Sequence, residues 1–236
     1  MLYSLKNNTF TNSTNQDMPI PKIIHQTFKS SNLPFLTRWQ ISRLRKKNLN
    51  YQYEFYNDQR IERFISQEFD QDTLNLYQKL NIGAAKADFF RYAVLLKKGG
   101  VYIDIDSTIN GKLDDFILPG DSAIISSEKN PGLLVQWALI FEPNHPFLEK
   151  TLQLVLENIR QNAYPHDVHK MTGPSVYTEA VNQCIAANPD IAYRRLGIDY
   201  NGHLRFKYLF SKLLYQRGEH WKKMQLTRPV LKQGNP

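Results

Sequence analysis

Two carboxylates stand two residues apart, Asp104 and Asp106, in the run VYIDID from Val101 to Asp106. Apolar, β-branched and aromatic residues lead into them, so the run reads as a strand. Side chains two apart on a strand face the same way. Asp104 and Asp106 are therefore expected to project together, with Ile103 and Ile105 toward the opposite layer. Paired acids at the end of an apolar strand repel each other and resist desolvation. A divalent cation relieves both penalties, and oxygen ligands of this kind suit Mg²⁺ or Mn²⁺. Capping of the next turn, aided by Ser107 and Thr108, is the plainer use of the same residues. A second polar pair lies upstream. Asp88 and Arg91 occupy positions i and i+3 of a helical stretch, so they share a face and can reach one ligand or each other. The stretch is otherwise apolar, which makes a polar pair on it costly unless it has a use. A guanidinium can fork onto phosphate or hydroxyls, and a carboxylate can accept from a sugar hydroxyl.

These residues need a scaffold, and the pattern around them supplies one. Ala84 to Lys98 combines good helix formers with apolar residues at helical spacing, and Gly99–Gly100 stops it before the strand. Earlier, Pro21–Phe28 (PKIIHQTF) reads as a first buried strand, and Pro34 opens a helix through Phe35, Leu36, Trp39, Ile41 and Leu44. Tyr51–Tyr56 alternates like a strand, and two short amphipathic helices follow to about Leu80. Shorter strands are expected in Ser122–Ser126 and Leu133–Phe141, then helices from Pro146 to about Asn162 and from Pro174 to about Ala187. Beyond Asp199 the pattern weakens. Alternating helices and strands predict an α/β sheet with helices packed on it.

The 236 residues suit one large domain, 18–236, behind a polar lead-in, 1–17, and 42% hydrophobic content is enough for a core. No apolar run reaches the roughly 18–20 residues of a membrane span, and the N-terminus lacks the pattern of a secretory signal. The lone Cys184 excludes an intrachain disulfide, suits a reducing compartment and sits among apolar neighbours like a small hydrophobe. Of the net charge of +8, most lies in Asn201–Pro236, where eight Lys/Arg face the single acid Glu219. A second basic cluster runs from Arg38 to Lys47. Solvated charge or an anionic partner both fit this bias; nucleic acid fits poorly, since no aromatic binding motif accompanies it. The chain has neither a G-x-x-x-x-G-K-[ST] phosphate loop nor a G-x-S-x-G elbow.

Taken together, the run A-D-F-F-R-Y-A-V-L-L-K-K-G-G-V-Y-I-D-I-D resembles the D-x-x-R…G-G-x-Y-x-D-x-D core of family 32 glycosyltransferases, shared with the clostridial glucosylating toxins. I-P-K-I-I-H-Q-T-F at Ile20–Phe28, Q-W-A at Gln136–Ala138, N-H-P-F at Asn144–Phe147 and T-G-P at Thr172–Pro174 extend the likeness over most of the chain. The resemblance implies a GT-A type nucleotide-diphospho-sugar transferase fold. It implies a metal-dependent, retaining transfer of a hexose from GDP-mannose or a UDP-hexose to a glycan or lipid-linked acceptor. Asp104 and Asp106 would hold Mn²⁺ or Mg²⁺ and the donor diphosphate. Asp88 and Arg91 would bind donor-sugar hydroxyls. Tyr102 would contact nucleotide or sugar, and Phe28, where many relatives carry Trp, would stack on the base. Gln136–Trp137 matches the mannosyltransferase branch near the acceptor, although packing alone also explains Trp137. His220 would be a further metal ligand, but the His…G-S-W ending of relatives is only half met by His220–Trp221. His25, inside the first strand, is expected to be structural. Such an enzyme would be cytoplasmic, at the inner face of a membrane if the basic tail Asn201–Pro236 docks there. Lys222 and Lys223 are expected near the donor diphosphate. A catalytically silent sugar-nucleotide binder, or a basic nucleic-acid module, remain the readings from other classes.

Overall fold

The structure is a computed structural model that describes residues 20–209, 211–214 and 221–232. The elements follow in the order β1 (Ile23–Thr27), α1 (Phe35–Lys47), β2 (Gln52–Tyr56), α2 (Asp58–Glu68), α3 (Gln71–Lys79), α4 (Gly83–Lys98) and β3 (Gly100–Ile103). Then come β4 (Thr108–Ile109), β5 (Ala123–Ser126), β6 (Ala138–Phe141), α5 (Pro146–Gln161), α6 (Val168–Met171), α7 (Pro174–Ala187) and β7 (Arg194–Leu196). The described chain closes with α8 (Ile198–Asn201), β8 (Leu204–Arg205) and α9 (Trp221–Thr227). In α8, Asp199 and Tyr200 have left-handed backbone angles, so it is a tight turn rather than a regular helix.

The main sheet has six strands in the order β2-β1-β3-β6-β5-β7. β1, β2 and β3 are parallel, β6 lies antiparallel between β3 and β5, and β7 runs parallel to β5. Alternation along the strands feeds two cores. Tyr102, Leu139 and Phe141 face the helical layer with Phe89, Phe90, Tyr92, Phe147 and Leu148. Val101, Ile103 and Ile140 face the other side with Leu44, Leu113, Phe116 and Tyr200. This is the expected α/β sheet, and its central strands β3, β5 and β6 are buried on both faces.

The two glycines between α4 and β3 are there for space as much as for backbone angle. A Cβ on Gly100 (φ +98°) would stand 2.5 Å from the Ile23 carbonyl oxygen of β1. One on Gly99 (φ +60°) would strike Pro143 and Pro21. Only Gly lets the helix stop and the strand enter beside β1 in one step.

Two expectations need correction. β3 ends at Ile103, and Asp104 to Ser107 form a turn closed by the Ser107 N–H donating to the Asp104 carbonyl at 2.9 Å. Ile103 pairs with Ala138, the first residue of β6, and one further backbone hydrogen bond, from the Asp104 N–H to the Trp137 carbonyl at 2.8 Å, leads into the turn. Ile105 consequently joins a small separate cluster with Tyr208 and Leu214 instead of the layer behind Ile103. The helix after Pro34 forms as expected, yet it buries Thr37 and Leu44 while Phe35, Leu36 and Trp39 are exposed. Among the described residues no helix is long and apolar enough to cross a membrane.

Candidate functional site

At the C-terminal ends of β1 and β3 a cleft of about 510 Å³ opens, lined in part by Phe28, Asp88, Arg91, Tyr102, Asp104 and Asp106. The ligand crevice of open α/β sheets lies at such strand ends. α4 brings Asp88 and Arg91 to the cleft from the helical layer, and the turn after β3 brings both acids of the D-x-D.

Arg91 is the hub. Its Nη2 lies 3.2 Å from Asp88 Oδ1 and 3.1 Å from Asp104 Oδ1. Nη1 donates to the backbone oxygen of Gln136 at 2.7 Å and to its side-chain Oε1 at 2.9 Å. Nε donates to the Ala87 carbonyl at 3.3 Å. Nε and Nη1 thus have protein acceptors, Nη2 stands in ion-pair contact with both acids, and the group also lies 4.7 Å from the centre of the Tyr102 ring. A guanidinium so placed holds two carboxylates beside it through charge, with Nε and Nη1 committed to hydrogen bonds within the protein.

Asp88 is equally well held. Oδ1 also accepts from Gln136 Nε2 at 2.9 Å, and Oδ2 accepts from Thr172 Oγ1 at 3.0 Å. The same Gln136 amide donates to the Tyr92 hydroxyl at 2.8 Å, which donates to the Thr172 carbonyl at 3.0 Å. Gln136 therefore spends its side-chain amide bracing the acid–arginine pair. Tyr102 donates to Asp104 Oδ1 at 2.9 Å. Burial raises the pKa of the Tyr102 hydroxyl well above its ordinary value, so it remains a donor. Burial also raises the carboxyls of Asp88 and Asp104 above the usual range, against the opposing pull of Arg91. Burial works against the Arg91 charge too, but the two acids and their surroundings raise its pKa overall.

The donor set fits a divalent cation. Both contacts to Asp104 fall on Oδ1, and its side chain keeps 25% of its surface exposed on the cleft. Asp104 and Asp106 both lie on the lining, and carboxylate oxygens of this hard kind are the ligands that Mg²⁺ and Mn²⁺ take. Among the described residues no group of three or more His, Cys, Asp or Glu gathers as a ready-made cage. Mg²⁺ sites commonly have only one or two carboxylates, with substrate phosphates completing the shell.

The other predicted residues fall as follows. Phe28 is half-buried on the cleft wall, and Trp137 is also on the lining, its ring 5.4 Å from that of Phe206. His220 lies outside the described residues. His25 is fully buried, its Nε2 3.0 Å from the Gly99 carbonyl, as a structural histidine should be. Lys222 and Lys223 are exposed and off the lining, whereas Met224 and Arg228 of the same segment and Phe206 and Lys207 before it are on it. Thr172 and Tyr92 were not singled out as site residues by sequence reasoning. Tyr92 follows Asp88 by one helical turn, which is the signal that could have found it. Thr172 is distant in sequence and carried only the T-G-P likeness.

Residues 34–129 match the family described as "glycosyltransferase sugar-binding region containing DXD motif". A glycosyltransferase of Acanthamoeba polyphaga mimivirus is 30% identical over 72% of this chain and 68% of its own length. The chain belongs to the DXD-containing glycosyltransferases. Mannosyl phosphorylinositol ceramide synthase CSH1 of Saccharomyces cerevisiae is 30% identical over 65% of this chain, which spans 40% of that relative's length. In fold, the chain is similar to the solved PaToxG glycosyltransferase, with a TM-score of 0.59 over 72% of this chain and 70% of the other at 22% identity. The matched region includes Asp104–Ile105–Asp106, and the α/β architecture is that of the GT-A type.

Proposed function

We propose that this glycosyltransferase moves a hexose, mannose foremost, from a nucleoside diphosphate to a hydroxyl of a glycan or lipid-borne acceptor, with retention at the anomeric carbon. The observation that carries the reading is the Asp88–Arg91–Asp104 cluster on the floor of the cleft, next to Asp106. The mannosyl donor is favoured by the name of the yeast relative, and UDP-hexoses are the competing donors.

Asp104 and Asp106 would hold Mn²⁺ or Mg²⁺, which when bound supplies Lewis-acid stabilisation to the departing diphosphate. The chain's own residues do the rest. Arg91 fixes the Asp104 carboxylate, with Tyr102 donating from the second side, so the donor meets a preorganised acid. Asp88, fixed by Thr172 and Gln136, accepts from a donor-sugar hydroxyl and so orients the sugar. Lys207 and Arg228 on the lining draw in the phosphates. Phe28 offers a ring face to the base. Lining side chains from β1, α4, the turn after β3 and the C-terminal segment displace water from the anomeric carbon, where positive charge develops as in glycoside hydrolysis.

The test is release of nucleoside diphosphate from GDP-mannose, UDP-glucose and UDP-galactose, followed by chromatography with and without Mn²⁺. Metal-dependent release from one donor, lost in Asp104→Asn, is the expected result. Thermal stabilisation by donor and metal with no release would favour a silent binding protein. No stabilisation by any donor would overturn the proposal.

A further inference from the structure

Helix α1 keeps large apolar residues on its outer face. Thr37 and Leu44 are buried and Ile41 is partly buried, while Phe35 is 71% exposed, Trp39 48% and Leu36 38%. Leu49, just past its end, is 86% exposed. A helix whose only task is to pack on a core points these residues inward. Its polar complement is one-sided too. FLTRWQISRLRKK carries Arg38, Arg43, Arg45, Lys46 and Lys47 and no acid, and all five are exposed. The guanidinium of Arg43 lies 4.9 Å from the Trp39 ring centre, so aromatic and basic groups share one outward face.

The helix also has a fixed relation to the cleft. Thr37 Oγ1 lies 2.8 Å from the Tyr208 hydroxyl, and the Tyr208 N–H donates to the Asp106 carbonyl at 2.9 Å. Exposed Arg205 and the 78% exposed Leu209 belong to that same tethered segment. One rigid route of two hydrogen bonds therefore joins the outward helix to the D-x-D turn.

We propose that α1 is a docking face for an anionic lipid bilayer, with Phe35, Leu36 and Trp39 entering the acyl boundary and the basic turns behind them on the headgroup phosphates. The chemistry is that of interfacial helices, in which aromatic and aliphatic side chains insert while Lys and Arg engage anionic lipid. A protein partner would be expected to meet the five cations with acids, but it would not need the apolar wedge of Phe35, Leu36 and Trp39 at the start of the helix. Docking there sets the cleft beside the lipid surface, so it rests on the proposed function only for its purpose and not for its occurrence.

The experiment uses the full chain and vesicles, without donor or acceptor. Sedimentation with phosphatidylserine–phosphatidylcholine vesicles should be salt-sensitive and absent with phosphatidylcholine alone. Phe35→Ser with Trp39→Ser should lower the partition coefficient by about tenfold or more, as expected for losing two inserted aromatics. Vesicles should shift tryptophan emission to the blue, and Trp39→Phe should remove that shift while leaving sedimentation largely intact. Donor hydrolysis, measured separately, should be unchanged in both variants. Vesicle binding that ignores Phe35 and Trp39, or none at all, would overturn the inference. So would a concentration-dependent dimer that the double serine variant abolishes, since a second copy would then be the occupant. Absence of donor hydrolysis in the parent would instead count against the proposed function, leaving the vesicle result to stand or fall by itself.

Discussion

Arg91 illustrates how one side chain organises the site. It is buried against Asp88 and the partly exposed Asp104, and removing a single member of such a cluster strands the others. Arg91→Lys keeps the charge but cannot reach Asp88, Asp104 and both Gln136 oxygens at once. Donor turnover is expected to fall by about a hundredfold or more, since misplacing a fixed acid by an ångström costs that much. The urea midpoint should fall as well; a variant with parental turnover would show that the cluster is structural only. Asp106→Asn should behave differently. It removes one of a repelling set of acids, so stability is expected to hold or rise while metal-dependent donor release disappears. Release within a fewfold of the parent at saturating metal would exclude Asp106 as a ligand.

Two histidines make a residue-scale prediction about pH. Burial lowers the pKa of His25 and His145 from 6.5 to about 4. His145 Nδ1 accepts the Phe147 N–H at 3.2 Å at the start of α5, and its Nε2 faces the Ala192 carbonyl at 3.1 Å, so the neutral ring is the form that fits both. Each folded pKa lies below its unfolded value. The associated stability is therefore fully present above about pH 6.5 and is lost as pH falls toward 4, amounting to about 3 kcal/mol each at the end of that window. Asp88 and Asp104, raised by burial, act in the opposite sense, so the comparison must be with the parent. His25→Gln plus His145→Asn should flatten the decline in denaturant midpoint between pH 6.5 and 4.5. An unchanged slope would mean that the two rings do not titrate in this window.

At the scale of elements, the junction of α4 and β3 fixes where the acids stand. Gly100 has φ +98° and no room for a Cβ against the Ile23 carbonyl. Gly100→Ala is expected to push β3 from β1 and to cost on the order of 2 kcal/mol or more, read as a shift in melting temperature. A neutral result would mean that the junction relaxes freely. α3 offers a milder contrast. Asp70 caps it by accepting the Thr73 N–H at 2.8 Å, far from the cleft. Asp70→Ala should cost about 1 kcal/mol and leave donor release untouched.

Across the whole molecule, the excess of positive charge divides into two uses. Lys207 and Arg228 line the cleft, while Lys222 and Lys223 stand exposed away from it. Lys207→Gln with Arg228→Gln is expected to raise the donor KM by about tenfold, the scale of one charge-assisted contact. Lys222→Gln with Lys223→Gln should leave KM where it was. The reverse pattern would move the phosphate site onto the α9 lysines.

The chemistry-bearing types were legible in the chain itself. Asp88, Arg91, Tyr102 and the D-x-D lie within one helix–glycine–strand unit, where local periodicity and a glycine stop suffice to put them side by side. The alternating strands and the helices after Pro146 and Pro174 follow from the same local rules. Tertiary structure decided the rest. How Arg91 and Asp88 are held depends on Gln136, just before β6, which accepts from Arg91, and on Thr172, just after α6, which donates to Asp88, and no spacing rule links residues so far apart. The turn at Asp104 was likewise set by its surroundings: the Asp104 N–H bonds the Trp137 carbonyl, and the Ser107 N–H closes back onto Asp104. The exposure of Phe35 and Trp39 was invisible to periodicity, since a hydrophobic stripe on a helix states that a face must be covered and leaves open what covers it.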